Sequence, residues 1–571
     1  MQSKSASSTF IRSPQSSFSN LRGLGFFIPV VVIVVLQCLS AWHYAGDQVD
    51  ESELVHYAVG FLGGDLDPHW YGYGYVGMVL LGAVYFFMAT LYVCLGWASN
   101  FLEVASFLYD TDAFMIAGRL VFALIGATTI MLYVEIGKIF KISPMFLFAY
   151  VLISFSSTDG LRYANYIRCD QLVGMFCPLI LLVLLQQRNI KREIFLLPAL
   201  LALAFNSKMS ALALLGVLPI RILQHGSTLR QKTARLLLVT LVFVGVMVIT
   251  NPFNNFLATV LSLIQNMIIE SRVSVSKVGH LGFIPTSEAI LSILRQNIGT
   301  ILLWPLALLP VLLFRYRWQG AWLIIVLALL VAPYYLTSEV SEYWFLPLFP
   351  LIRFVSILLL STVFGLVPRK NRIYRILGGY LISALLLVTS WQGIFHRYPQ
   401  FARTTLTEDS NARMARNWLH NELKKGRVVY LDKYWNHVMP KVYGQDLQQA
   451  RLISRAFIYQ RHRNNFLGEA FHLFMTERYL AQFSKPPEVY QAVAYPASDF
   501  IEERRKRFGS YFVVSPSIAD RYRRGDFSRL TEPKRREAEF LRSYYQMEMQ
   551  GDPVKRFTTG RGAPLYVYEL K

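Results

Sequence analysis

The chain has 571 residues, 54% of them hydrophobic, and a formal net charge of +21. Apolar runs recur almost from end to end, which excludes a large soluble protein and points to a polytopic membrane protein that is mostly α-helical. The charge does not call for nucleic acid, because basic residues spread over short loops follow from the cytoplasmic bias of Lys and Arg in such proteins. Cys38, Cys94, Cys169 and Cys177 lie in or beside apolar segments without ligand spacing, which argues against a disulfide framework and a zinc site.

Residues 1–23 are Ser-rich, with Lys4, Arg12 and Arg22, and precede an apolar run from Phe26 to Ala41 that lacks a small-residue cleavage site. This reads as a cytoplasmic segment followed by a signal anchor. A span needs about 20 apolar residues to cross roughly 30 Å of hydrocarbon. With the N-terminus inside, about eleven spans are predicted, at 24–41, 114–136, 142–159, 171–187, 194–207, 209–224, 236–250, 297–314, 319–336, 344–366 and 376–394. Lys138 and Lys141, Arg188, Lys191 and Arg192, Arg230, Lys232 and Arg235, Arg315 and Arg317, and Arg369, Lys370, Arg372 and Arg375 then all fall on the cytoplasmic side.

Two segments need a decision. Residues 72–95 are apolar enough to cross, yet a crossing there would reverse every later loop, so this Tyr-, Gly- and Phe-rich segment is placed in the outer interface. Asn206-Ser207-Lys208 interrupts the run 193–223; a charge at the bilayer centre costs at least ~2.5 kcal/mol, so two short helices meeting outside at Lys208 are expected.

This threading makes 24–394 a transmembrane domain whose first outer loop, 42–113, opens with the acidic stretch Gly46-Asp-Gln-Val-Asp-Glu-Ser-Glu. The outer side gathers Asp50, Glu51, His56, Arg162, Arg168, Asp170 and Lys208, with Arg353 a few residues inside a span. Carboxylates that accept a proton and cations that hold a phosphate are what chemistry on a lipid-borne substrate requires. The bland readings are specific too. Glu51 and Asp170 fit a helix cap or an ion-pair partner of Arg162 or Arg168, Lys208 fits an interfacial cation, and His56 fits a packed histidine. From about 395 the apolar runs stop and a soluble α/β domain, 395–571, is predicted. It holds a helix begun at Asp409 or Ser410 and strands at Val428–Leu431, Tyr511–Val514 and Leu565–Tyr568.

The order of segments resembles the GT-C glycosyltransferases that use polyprenyl-phosphate sugars, in particular the protein O-mannosyltransferase and aminoarabinose-transferase branch, the glycosyltransferase 39-like family. Asp50-Glu51-Ser-Glu-Leu-Val-His56-Tyr-Ala is similar to the family's Asp-Glu motif, and Gly118-Arg119-Leu-Val-Phe-Ala-Leu-Ile-Gly to a helix of the membrane part. Tyr166-Ile-Arg168-Cys-Asp170 resembles its second-loop Asp, Asn206-Ser-Lys208 a Thr-Lys-Gly break, and Glu342-Tyr-Trp-Phe-Leu-Pro347-Leu-Phe-Pro350 an Arg-Tyr-x-Leu-Pro-x-x-Pro span. Pro68-His69-Trp70-Tyr71-Gly72 departs from the pattern, having no Lys nearby.

The resemblance implies an inner- or plasma-membrane enzyme that moves a sugar from a polyprenyl-phosphate donor to a lipid, protein or glycan acceptor at the extracytoplasmic face, with inversion. On that resemblance Asp50 is the general base, a partly desolvated carboxylate with its pKa raised from ~4. Glu51 orients the acceptor or the base. Asp170 holds sugar hydroxyls or supports the first-loop helix, and Arg168, Lys208 and Arg353 engage phosphate, with His56 and Arg162 nearby. No metal or other cofactor is required, although related branches use divalent ions. A transporter or flippase of a polyprenyl-linked glycan is the alternative; it would place ionisable groups near the midplane and show repeat symmetry, whereas here the acids sit in loops. A non-catalytic partner in envelope glycan assembly is the third reading.

Overall fold

The structure is a computed structural model. It describes residues 49–63, 74–110, 113–156, 166–186, 190–224, 228–252, 283–336 and 342–366 in the helical part, and 429–432, 492–493, 511–524, 551–559 and 564–569 in the C-terminal part, with a few isolated positions besides. The predicted spans 24–41 and 376–394 lie essentially outside this set, as do Asp409 and Ser410.

The helical part runs α1 (Val49–Gly60), α2 (Tyr75–Cys94), α3 (Phe101–Asp110), α4 (Ala113–Ile139), α5 (Pro144–Ser156), α6 (Cys169–Gln186), α7 (Ile190–Ser207), α8 (Val217–Gln224), α9 (Leu229–Thr250), α10 (Phe283–Ile298), α11 (Thr300–Leu303), α12 (Leu309–Tyr316), α13 (Trp318–Leu336) and α14 (Leu348–Leu366). Short 3-10 segments join several of them, the longest at Met209–Gly216. Among the described residues six helices, α2, α4, α6, α9, α13 and α14, are long and apolar enough to cross a membrane, and the bent pair α10 to α12 would make a seventh. α5 and α7, read from sequence as spans, are shorter apolar helices. Their outward faces are apolar as lipid contact demands: Leu237, Leu241 and Ile249 of α9 and Phe314 of α12 are all exposed.

Successive helices run antiparallel. At one end of the bundle α4 finishes with Phe140 edge-on to Tyr316, whose hydroxyl meets Thr362 Oγ1 at 3.0 Å near the end of α14. Lys141 closes α4 in the left-handed region (φ 57°), where the Ile142 amide bonds to the Gly137 carbonyl and caps the helix. At the same end Gly320 lets α13 pass over α12, since a Cβ there would lie 2.2 Å from the Leu312 carbonyl oxygen. Lys138, Lys141, Arg315 and Arg317 lie in the last turns of α4 and α12 or just past them, and Arg230 and Lys232 in the first turn of α9.

α2 differs from the interfacial segment expected at 72–95 in being one helix of 20 residues, long and apolar enough to cross. Against α4 it packs at the first turns: Gly77 lies beside Phe122, and the Tyr85 hydroxyl donates to the Phe114 carbonyl at 2.8 Å. Phe86–Cys94 therefore continues for about 13 Å past the start of α4. There Phe86 packs edge-on against Phe101 of α3, and α3 is capped by Asn100 Oδ1 on the Glu103 amide. The segment from α1 to α3 thus begins and ends at the same end of the bundle.

α10 also departs from expectation. The span predicted at 297–314 is broken at Gly299 (φ 88°), where the axis turns by 116°. In the C-terminal part β1 (Val429–Asp432), β2 (Ala492–Val493), β3 (Tyr511–Val514), β4 (Lys555–Phe557) and β5 (Leu565–Glu569) form a mixed sheet of order β2-β1-β3-β5-β4. β1 pairs in parallel with β2 and β3, while β5 lies antiparallel between β3 and β4. The helix α15 (Pro516–Arg524) follows β3.

Candidate functional site

Polar residues gather at the end of the bundle opposite the cationic loops. Glu51, in the first turn of α1, is fully buried, as is Arg119, two turns into α4. Arg119 Nη2 donates to Glu51 Oε2 at 2.7 Å and Nε to Oε1 at 3.3 Å, while the Ile167 amide donates to the same Oε1 at 2.8 Å. One carboxylate therefore joins three elements: α1, α4 and the turn leading into α6. A guanidinium fork satisfies both oxygens of a carboxylate, which is why Arg rather than Lys serves here.

A helix cap or an ion pair with Arg162 or Arg168 was the bland expectation for Glu51; the structure pairs it with Arg119. Arg119 was quoted within a motif but given no role, although an Arg in an otherwise apolar helix was signal enough. Both Glu51 oxygens already hold protein donors.

Asp170 lies in the first turn of α6 and Lys208 immediately past the end of α7, each where the helix dipole favours its charge. Lys208 Nζ meets Asp170 Oδ1 at 2.5 Å, and Arg168 Nε lies 3.9 Å from Oδ2. Two cations face one carboxylate, leaving the cluster one charge positive. Asp170 and Arg168 are buried, and Lys208, 13% exposed, is the member nearest the surface. The break expected at 206–208 is present: α7 stops at Ser207, Lys208 is extended, and a 3-10 turn follows. Asn206 secures the stop by donating to Thr250 Oγ1 at 2.7 Å and to the Met247 carbonyl at 3.1 Å.

The two clusters are adjacent. Residues 166–170 carry the amide on Glu51 and the carboxylate on Lys208, and Cys169 Sγ sits over Gly74, the residue before α2. The Ile167 amide, three residues before Asp170, meets the first-loop helix through Glu51. Gly74 has φ 70°, and a Cβ on it would lie 2.2 Å from Cys169 Sγ. Gly74→Ala is expected to cost about 2–4 kcal/mol, combining left-handed strain with overpacking, and to appear as a lowered thermal midpoint in detergent.

Arg353, almost fully buried in α14, donates to the Asn297 carbonyl at 3.3 Å and lies 5.9 Å from the centre of the Phe349 ring, bracing the bend after α10. Tyr334, Phe345 and Phe349 stack behind it, and the Tyr334 hydroxyl donates to the Trp344 carbonyl. Asp50 occupies the first turn of α1 beside Glu51, and His56 the same helix one to two turns on; their side chains lie outside the described set, as does the whole of Arg162. Among the described residues no three His, Cys, Asp or Glu side chains gather as a metal site.

No known family's sequence profile matches the chain, and no curated protein matches it in sequence. Among solved structures it is similar to ArnT from Cupriavidus metallidurans bound to undecaprenyl phosphate, at 12% identity and a TM-score of 0.47 over 95% of this chain and 98% of that one. It is similar to the archaeal oligosaccharyltransferase AglB from Archaeoglobus fulgidus, in complex with an inhibitory peptide and a dolichol-phosphate, at 12% identity and 0.44 over 97% and 89%. A further similarity is to the arabinofuranosyltransferase AftD from Mycobacteria, at 14% identity and 0.43, covering 95% of this chain but 40% of AftD.

Proposed function

We propose that this chain is a membrane glycosyltransferase that moves a sugar from a polyprenyl-phosphate donor to an acceptor hydroxyl at the extracytoplasmic face. The observation that carries the reading is the juxtaposition at one bundle end of the Asp50-bearing turn of α1, clamped through Glu51, with a buried cluster of net positive charge. The cationic loops lie at the other end, and the inward bias of Lys and Arg supports an outward-facing site.

In this mechanism Asp50 accepts the acceptor's hydroxyl proton as that oxygen bonds to the anomeric carbon from the face opposite the leaving group. The bond from the anomeric carbon to the phosphate oxygen breaks with its electron pair on the oxygen, and the configuration inverts. Lys208 and Arg168 balance the dianionic phosphate, with Arg353 a third cation deeper in the same end. Glu51 and Arg119 hold α1 in place so that the base needs no reorganisation.

The test is turnover by the full chain in proteoliposomes. Supplied with polyprenyl-phosphate sugars and a candidate acceptor, it is expected to release free polyprenyl phosphate in step with a new glycoside. Movement of the intact lipid-linked sugar between leaflets, with no phosphate released, would assign it to transport instead.

A further inference from the structure

Glu51 is held by a backbone amide that is itself held. The Ile167 N–H that donates to Glu51 Oε1 at 2.8 Å belongs to the peptide group between Tyr166 and Ile167, and the carbonyl of that same group accepts from Gln171 Nε2 at 3.0 Å. Tyr166, Ile167 and Gln171 are all buried. In a trans peptide the N–H and the C=O point in opposite directions, so an anchor on the oxygen aims the hydrogen. Gln171 therefore aims this amide at Glu51.

α6 places Gln171 where it can do so. The residue occupies the first turn of that helix, next to Asp170, and its side chain reaches back five residues over the loop that carries Arg168. Its own backbone amide closes the turn separately, donating to the Arg168 carbonyl at 3.0 Å. The two bonds divide the work: the backbone bond keeps Arg168 and Asp170 in their turn, whereas the side-chain bond orients the peptide that meets α1. Bonds linked in series, from Gln171 through the peptide to Glu51 and Arg119, also polarise one another. Leu or Met at position 171 would fill the same space and offer the carbonyl no donor.

We propose that Gln171 is a positioning residue for the base: through the Tyr166–Ile167 peptide and Glu51 it fixes the first turn of α1, on which Asp50 stands. This rests on the reading of Asp50 as the proton acceptor.

The experiment is sugar transfer by the full chain in proteoliposomes, measured beside hydrogen exchange of the α1 amides. Gln171→Met keeps the length of the side chain and removes the donor. It is expected to lower kcat about tenfold, as a small misplacement of a reacting group does, with the donor KM unchanged because Lys208 and Arg168 are untouched. Exchange of the α1 amides should rise roughly fivefold, with that of residues 173–186 of α6 unchanged. In the Glu51→Leu, Arg119→Met background the same substitution should lower kcat no further, since an effect routed through one residue vanishes when that residue is gone. Gln171→Asn, one methylene too short to reach the carbonyl, should reproduce these effects and serves if the Met variant fails to fold. Wild-type exchange in α1 of either folded variant would overturn the proposal. So would an equal fall in kcat in the background lacking Glu51, which is the mark of a merely structural residue. Exchange needs no turnover, so a wild type that transfers no sugar would refute the proposed function and still leave the hold of Gln171 on α1 to be decided by exchange.

Discussion

Arg119→Ala is expected to remove the folded protein almost entirely from detergent extracts. It leaves the buried Glu51 carboxyl with only the Ile167 amide to answer it. Breaking a buried pair by deleting one partner costs about 3–5 kcal/mol, a large share of the roughly 5–15 kcal/mol that holds a typical domain together. The informative companion is the double substitution Glu51→Leu with Arg119→Met, which replaces the charges with apolar volume. It should recover most of the stability, short of the Ile167 amide's lost acceptor, which costs about 1–3 kcal/mol. If Glu51 acts by fixing α1, the double variant also regains measurable transfer, because Asp50 is intact. A stable double variant with no trace of transfer would mean that the Glu51 carboxylate itself takes part in the reaction.

The second large effect is expected at Asp170 and Lys208. Lys208→Met leaves Asp170 facing only Arg168 at 3.9 Å and should cost about 2–5 kcal/mol. Stability alone does not separate a structural lysine from one that meets phosphate, so the comparison is made in an Asp170→Asn background, where the pair is already broken. There Lys208→Gln should leave the thermal midpoint nearly unchanged yet raise the donor KM at least tenfold, since a phosphate-binding cation has been lost. An unchanged KM would leave Lys208 as the counter-ion of Asp170 alone.

Much of this arrangement is legible in the chain because it follows from short-range rules. Loops rich in Lys and Arg alternate with loops that hold the acids, and the antiparallel helices carry that alternation into two chemically distinct ends. The stop at Asn206-Ser207-Lys208 is local: a polar triplet within an apolar run ends the helix, and Asn206 finds Thr250 to secure it. Tyr511–Val514 is a strand on both readings, as expected of aromatic and β-branched residues between turns.

What escaped the sequence reading is tertiary. Nothing in the spacing of Glu51 and Arg119, 68 residues apart, tells that they meet, nor that Arg221 closes on Glu193 rather than reaching water. Both arginines were visible as charges within apolar helices; only packing supplied their partners. The bend at Gly299 was missed because hydropathy has no direction, so a run that turns by 116° averages like a straight span. α2 shows the converse, since its composition permits a crossing while Tyr85 against Phe114 holds it at one end.

The most direct measurement is sugar transfer by Asp50→Asn, made on protein shown by thermal midpoint and elution profile to be folded like the wild type. Asparagine keeps the shape of the first turn of α1 and removes the proton acceptor, and loss of a general base typically costs about 10²–10⁴ in rate. The account predicts a fall of at least a hundredfold in polyprenyl phosphate released, with the donor KM little changed. Release at the wild-type rate by that folded variant would contradict it.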